Sequence, residues 1–447
     1  MQYLGRYRFQ GTGHPPLPST GAYQISVQTS AQYPMQNDIV DIGCPGLFTH
    51  LLDGLHDLHR QPFPHVPNPP SVKKRASVAV ILHVRPSYDH WPEASFHDKS
   101  ESPTEKRLID FFAQDWVQNG EPEVLFIKRS SRVGDRWTGH VALPGGKRDP
   151  QDEDDLAAAI REAEEEIGID LTGPDCIAVG NLPERVVYAN FGSEILMVLC
   201  PFVFVVTSSS IPPLRLQPTE VASIHWVPLR ALLSPSLRTV ENVDVSQRLR
   251  LALPGGFMPR AAIRFLIGQM QFSAIRLIPS ESQYCTTVKG FIPNANNQAD
   301  STDTARPLLL WGLTLGVMTD FLNMLPPHRS IQQWEYPTFT APDLRFIVGL
   351  MTSGLRKRNT FNATTGTRPR PASDKRCWTG PVGVLGLGVA RYYGLKDRPT
   401  DGTNYAVGIL LRGYYQRIRQ AIYVFLAWRA VVVSITGILA WRFLLPR

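Results

Sequence analysis

The chain is poor in cysteine. Cys44, Cys176, Cys200, Cys285 and Cys377 are far apart, odd in number and form no CxxC pair. That excludes a disulfide framework and a cysteine zinc site, and leaves the thiols as small buried residues in a reducing compartment. Residues 1–30 lack a continuous apolar run, so a secretory signal peptide is not expected. The first acidic residue is Asp38, and Arg6 and Arg8 precede it, but the arginine-rich amphipathic period of a transit peptide is missing. There is no internal repeat. Acidic charge is in deficit: Lys and Arg number 46 against 39 Asp and Glu, a net charge of +7. Such a balance favours polyanions in general. It discriminates poorly between nucleotides, nucleic acid and anionic lipid, and nothing else in the chain points to nucleic acid.

What is present is enough apolar residue for a core, 43% of 447 positions, over a length that suggests two or three domains. Residues 1–72 are rich in Pro, Gln, Ser and Thr and read as a low-order extension. Only Leu47 to Leu58 looks helical there, with Leu51, Leu52, Leu55 and Leu58 at helical spacing. Val78 to Leu82 is a strand-like run, and a polar stretch over about 86–105 reads as an insertion. A helix is expected from Lys106 to Val117, then strands at Glu123 to Ile127, Ile177 to Val179, Glu194 to Val206 and Ala222 to Val227. A larger insertion is expected over about 240–306. Leu308 to Leu325 reads as a buried helix stopped by Pro326 and Pro327. Residues 329–376 read as linker and 377–447 as a helical C-terminal region.

The chemistry concentrates between Gly145 and Ile169. Asp154 to Ile160 can start a helix, with acidic residues in its first turn and then Leu156 and three alanines. Further along it, Glu162, Glu165 and Glu166 stand at i, i+3 and i+4 and project from one face. Three carboxylates so placed repel unless a cation sits between them. Hard oxygen ligands of this kind suit Mg²⁺ or Mn²⁺. Gly145 and Gly146 let backbone approach a metal or phosphate where a β-carbon would intrude.

This block resembles the Nudix box: glycine, five residues, an acid, seven residues, then Arg-Glu-aliphatic-any-Glu-Glu-any-Gly-aliphatic. Arg161 to Ile169 fits at every fixed position with Ala163 as the aliphatic. The first half is off by one residue. Five positions after Gly146 comes Asp152, whereas Glu153 keeps the seven-residue gap to Arg161, so either acid can fill the outer position. The resemblance implies a Nudix α/β/α sandwich with a mixed sheet over 73–328, and a diphosphate hydrolase using Mg²⁺ or Mn²⁺. By position, Glu162, Glu165 and Glu166 ligate metal with the carbonyl of Gly145 or Gly146, Arg161 orients Glu162, and Glu165, Glu162 and Arg161 form the catalytic group. The general base is one of these glutamates or an acid on a later loop.

Ile127 to Ser130 followed by Gly139 to Lys147 resembles the coenzyme A diphosphatase branch, as do Pro218 to Val221 with Trp226 to Leu229, and Trp311 to Thr314. That implies a nucleotide-type substrate, coenzyme A or an acyl-CoA, cut to 3′,5′-ADP and (acyl-)4′-phosphopantetheine. Other Nudix substrates (NADH, ADP-ribose, dinucleoside polyphosphates) are the alternative. Arg129, Ser130, Gly145, Lys147 and His140 are the substrate-binding expectation. From other classes, a non-catalytic Nudix-fold binding module and a membrane scaffold remain open. The intact glutamates speak against the first.

The C-terminus is the second signal. Ala421 to Leu445 is apolar except for Arg429 and Arg442, and its length matches a bilayer core of roughly 30 Å. Arg429 would cost about 2.5–3.5 kcal/mol at mid-membrane, less if it snorkels. A membrane anchor at 421–445 is expected, on a mitochondrial or peroxisomal membrane if the protein is not cytoplasmic. A buried helical pair is the competing reading. His56 and His59, with Asp53, read as a solvated helix face rather than a metal site. Gly383, Gly386 and Gly388 read as close packing.

Overall fold

The computed structural model describes residues 26–29, 46–70, 74–88, 102–131, 139–189, 194–211, 214–246, 260–285, 307–325, 330–365 and 406–444. In chain order these form β1 (Ser26–Thr29), α1 (Leu47–Arg60), β2 (Arg75–Arg85), α2 (Thr104–Phe112), α3 (Asp115–Gln118), β3 (Glu121–Arg129), β4 (Val141–Ala142), β5 (Gly145–Lys147) and α4 (Asp155–Ile167). There follow β6 (Cys176–Asn181), β7 (Arg185–Ala189), β8 (Glu194–Val206), β9 (Val221–Pro228), α5 (Leu229–Leu233), β10 (Arg238–Val243), α6 (Arg260–Ile267), β11 (Met270–Arg276) and β12 (Glu281–Tyr284). The last are β13 (Leu309–Trp311), α7 (Gly312–Leu322), β14 (Thr338–Phe339), α8 (Pro342–Thr365), α9 (Ala406–Leu411) and α10 (Tyr414–Leu444).

The main sheet runs β1-β12-β9-β3-β2-β8-β6, with β4 on β3, β5 on β2 and β7 on β8. β2 and β8 are parallel, and the other pairings are antiparallel, so the sheet is mixed. Strand alternation sends its side chains to two cores. Val80, Leu82, Val124, Phe126, Val203 and Val205 face one side with α1, α2 and α7. Ala79, Ile81, Leu125, Ile127 and Phe204 face the other, under Ala163 and Ile167 of α4. This is the expected sandwich. Each Val, Leu, Ile or Phe among them, fully buried, contributes about 1.5–3 kcal/mol.

Several boundaries differ from the sequence reading. Residues 1–72 are not a loose extension where they are described: β1 pairs with β12, and Phe63 and Val66 are buried against the sheet. The helix expected at Lys106 to Val117 is two, α2 and α3. Leu308 to Leu325 divides into β13 and α7, because Trp311 is extended and Gly312 has φ +66°, a conformation that favours glycine. The insertion at 240–306 contributes β11 and β12, and β11 joins β10, β13 and β14 in a second sheet. The linker reading at 329–376 does not hold over Pro342–Thr365, which form α8 (residues 366–376 lie outside the described residues), with Leu344 and Val348 buried at i and i+4. Both are buried in a third core with Ile263, Ile267, Met270, Phe339, Tyr414, Ile418, Ala421, Ile422 and Phe425. Gly383, Gly386 and Gly388 lie outside the described residues.

The C-terminal helices are tied to the main sheet by buried polar bonds. Asp320 on α7 accepts from Arg185 at 2.6 Å and from the Ala406 N–H at 2.9 Å, at the start of α9. The Asn359 amide on α8 donates to the Leu410 and Arg412 carbonyls, each at 2.9 Å.

Candidate active site

Local chemistry explains why the box helix sits where it does. Asp154 is its N-cap, and its side chain accepts from the Ala157 N–H at 2.7 Å. Gly168 closes the helix at φ +73°. Ala158, Ala159, Ala163 and Ile167 are buried, so the helix lies close on the sheet and brings its glutamates to β5.

Arg161 is the hub. It grips Asp152 with two bonds, Nε to Oδ1 at 2.8 Å and Nη2 to Oδ2 at 3.0 Å. It reaches the Glu165 carboxylate at 3.0 Å, the Glu162 carboxylate at 3.1 Å and the Lys147 carbonyl at 3.1 Å. Of the two acids left open, Asp152 is the one whose carboxylate Arg161 holds, and the Glu153 backbone carbonyl accepts from Arg148 at 2.8 Å. The Asp152 carboxyl is held below the usual range, first by its hydrogen bond to Arg161, and burial opposes that.

Glu162 and Glu166 lie under the glycines. A β-carbon on Gly146 would fall on the Glu162 carboxylate, and one on Gly145, at φ +147°, on the Ser77 carbonyl. The Gly145 N–H donates to Glu166 at 2.9 Å. Glu166 is almost wholly buried, and burial pushes its carboxyl up to about 8, with the Gly145 bond and Arg129 opposing and the charges of Glu162 and Glu220 adding. Burial also raises Glu162. Glu165 is the outermost of the three, its side chain 58% exposed.

The trio is not drawn to a point. Among the described residues, the set of three such side chains with ligand atoms all within 4.8 Å of one another is His65, Asp155 and Glu184. That cluster already holds its cation: Arg75 donates to Asp155 at 2.8 Å and to Glu184 at 2.7 Å. The trio is held apart by Arg161 and the Gly145 N–H, as mutually repelling carboxylates are. The fit for a hard divalent ion rests on two observations: the Glu162 carboxylate lies against Gly146, in the place a side chain there would take, and the carboxyls of Glu162 and Glu166 are raised by burial, which a cation would restore to the charged form.

The substrate-side expectations divide. Arg129 points at the site, its guanidinium 4.0 Å from Glu166. Lys147 is exposed at the rim, and Gly145 serves the site through its N–H. Ser130 is held by the fold. It is buried, its hydroxyl donating to the Pro218 carbonyl at 2.9 Å and its N–H to the Glu220 carbonyl at 2.8 Å. It thereby ties the end of β3 to the loop before β9. His140 lies opposite Arg129 in the β3–β4 ladder and stacks edge-on against Trp311, which in turn meets Phe272. Glu220 is the residue the sequence reading passed over. Its segment was noted for its resemblance, but only the fold brings that charge to Glu162 and Glu166. His56 pairs with Glu105 at 2.8 Å and His59 bonds the Val179 carbonyl at 3.0 Å, both structural roles.

Comparison with known proteins agrees with this geometry. The NUDIX domain model matches residues 116–249. An uncharacterized protein of Schizosaccharomyces pombe is 35% identical over 69% of this chain and 83% of its own length. The mouse (Mus musculus) peroxisomal coenzyme A diphosphatase is 31% identical over 30% of this chain and 51% of its own length. The mitochondrial coenzyme A diphosphatase of the same species is 46% identical over 12% and 25%. The chain thus spans about half or less of the named diphosphatases. It belongs to the Nudix hydrolase family, near the coenzyme A diphosphatase branch.

Proposed function

We propose that the chain hydrolyses the diphosphate of coenzyme A or an acyl-CoA in a reaction dependent on Mg²⁺ or Mn²⁺, releasing 3′,5′-ADP and (acyl-)4′-phosphopantetheine. The observation that carries the reading is the Arg161 hub, which ties Asp152, Glu162 and Glu165 together, with the Glu162 carboxylate against Gly146. Glu162, Glu165 and Glu166 would hold the ion, with a backbone carbonyl of Gly145 or Gly146. Bound there, it would polarise the diphosphate and make a water more acidic.

The chain's own residues do the rest. Arg161 holds Glu162 and Glu165 in place by charge-assisted hydrogen bonds. Glu165, the most exposed of the three, is the group that accepts the water's proton. Arg129 and Lys147 supply positive charge for phosphate oxygens. The row His140, Trp311 and Phe272 offers aromatic faces and edges to a planar base on the same side of the sheet as Arg129. By analogy with relatives named for mitochondria and peroxisomes, the location is a membrane of one of those organelles.

The test is a Mg²⁺-dependent turnover screen over coenzyme A, acyl-CoA, NADH, ADP-ribose and dinucleoside polyphosphates. Cleavage of the first two is expected to dominate and to vanish in Glu165→Gln with the fold intact. Equal turnover by that variant would falsify the assignment of the glutamates. A preference for NADH or ADP-ribose would move the chain off coenzyme A while keeping the chemistry.

A further inference from the structure

α10 changes its surroundings part-way along. Its first half is docked: Tyr414, Ile418, Ala421, Ile422 and Phe425 are buried in the third core. Arg429 marks the limit, its Nε 2.7 Å from Asp343 at the start of α8 and its guanidinium over the Phe425 ring at 5.3 Å. Past Arg429 no described side chain of the helix is buried. Val431, Val433, Ile435, Ile438, Leu439 and Trp441 are all at least 49% exposed. At 100° per residue five of these six fall within an arc of about 160° and Val433 projects from the other side, so the apolar surface is wider than one packing stripe. A core helix is mostly buried, yet only 11% of the most apolar window in Ala406–Arg442 is.

A protein groove covers one side of a helix, whereas a lipid bilayer surrounds it. The polar groups in the free half are consistent with lipid. Ser434 donates its hydroxyl to the Ala430 carbonyl at 2.8 Å and Thr436 to that of Val432 at 2.9 Å, so neither leaves a donor facing outward. Trp428 and Trp441 bracket the segment roughly 20 Å apart, as interfacial aromatics do. We propose that residues 430–444 lie in a bilayer while the first half of α10 stays docked. The Arg429–Asp343 pair then sits at the headgroups and the hydrolase body rests against the membrane. The free helix is roughly 22 Å long against a hydrocarbon core of roughly 30 Å. Snorkelling of Arg442 and local thinning make up the difference.

The experiment uses the full chain, purified in detergent and mixed with phosphatidylcholine vesicles on a flotation gradient. Wild type is expected to float. The double variant Val433→Asp/Ile438→Asp is expected to stay in the soluble fraction, its partitioning lowered by roughly 10³-fold or more. Turnover of soluble coenzyme A should be the same in both. Wild type that stays behind, or a double variant that floats equally, overturns the proposal. So does a wild-type dimer that ignores vesicles and that the double variant dissociates, since a second copy would then cover the helix. Absence of turnover in both proteins would strike the hydrolase reading alone and leave the flotation result to stand.

Discussion

Glu166 sits in a place that is costly for a charge. Its carboxyl titrates at about 8, well above the usual ~4.3, because burial disfavours the anion. A group raised in the folded state stabilises below its unfolded pKa, and that contribution is lost as pH rises through the folded value. The metal-free chain is therefore expected to lose thermal stability steadily from about pH 5 to 9. The rise in Tm on adding Mg²⁺ or Mn²⁺ should be larger at pH 9 than at pH 6.5, since the cation favours the charged form. Thermal unfolding with and without chelator measures both, and a metal-free Tm that climbs over this range would refute the account. The outer acid is tested by a pair of variants. Asp152→Asn removes the charge gripping Arg161 and should lower kcat, while Glu153→Gln should leave it unchanged. Gly146→Ala should cost roughly 100-fold in turnover with little change in Tm, because its methyl displaces the Glu162 carboxylate by about 1 Å or more.

Among the elements, α4 was the most legible. Its N-cap at Asp154, acidic first turn, buried alanines and terminal Gly168 are signals read within a few residues of themselves. Asp154→Ala should cost about 1 kcal/mol of stability and leave turnover nearly intact, seen as a Tm lower by a few degrees. β2, β8 and β9 were legible as runs of β-branched and aliphatic residues. α8 was not, since its composition is that of a linker and its helicity comes from a neighbour remote in sequence: α10 packs along it. The surroundings of Ser130 were illegible for a related reason. Its resemblance placed it at the site, and only the tertiary fold turned its hydroxyl toward Pro218. A second tertiary device is Arg75, buried between Asp155 on the box helix and Glu184 before β7. Arg75→Met removes the charge between two buried carboxylates, leaving Glu184 with the Val66 N–H and His65, and Asp155 with Arg148 at 3.4 Å, and should destabilise by about 3 kcal/mol, measured by denaturant unfolding.

For the whole molecule, the Nudix sandwich and the C-terminal helices share cores rather than sitting as separate units. Ala406, Ile409 and Leu410 belong to the main core, and the Ala406 N–H is held by Asp320, which also holds Arg185. A chain ending before Ala406 is expected to aggregate or melt far lower, whereas one ending after Arg429 should keep wild-type Tm and turnover. Equal stability of the two would show that the helices are merely appended. The segment proposed to lie in a bilayer is shorter than the 421–445 expected, because Ala421, Ile422 and Phe425 are spent on packing. Taken alone, the order of residues determined the box, its helix, the three glutamates on that helix and the apolar character of the tail. All of these depend on spacing along a few turns, where backbone geometry fixes which side chains meet. The tertiary structure alone decided that Asp152 is the partner of Arg161, that Glu220 adds its charge to the site, and where the tail leaves the protein. Those outcomes depend on which surfaces pack together, and packing partners far apart in the chain leave no local period to read.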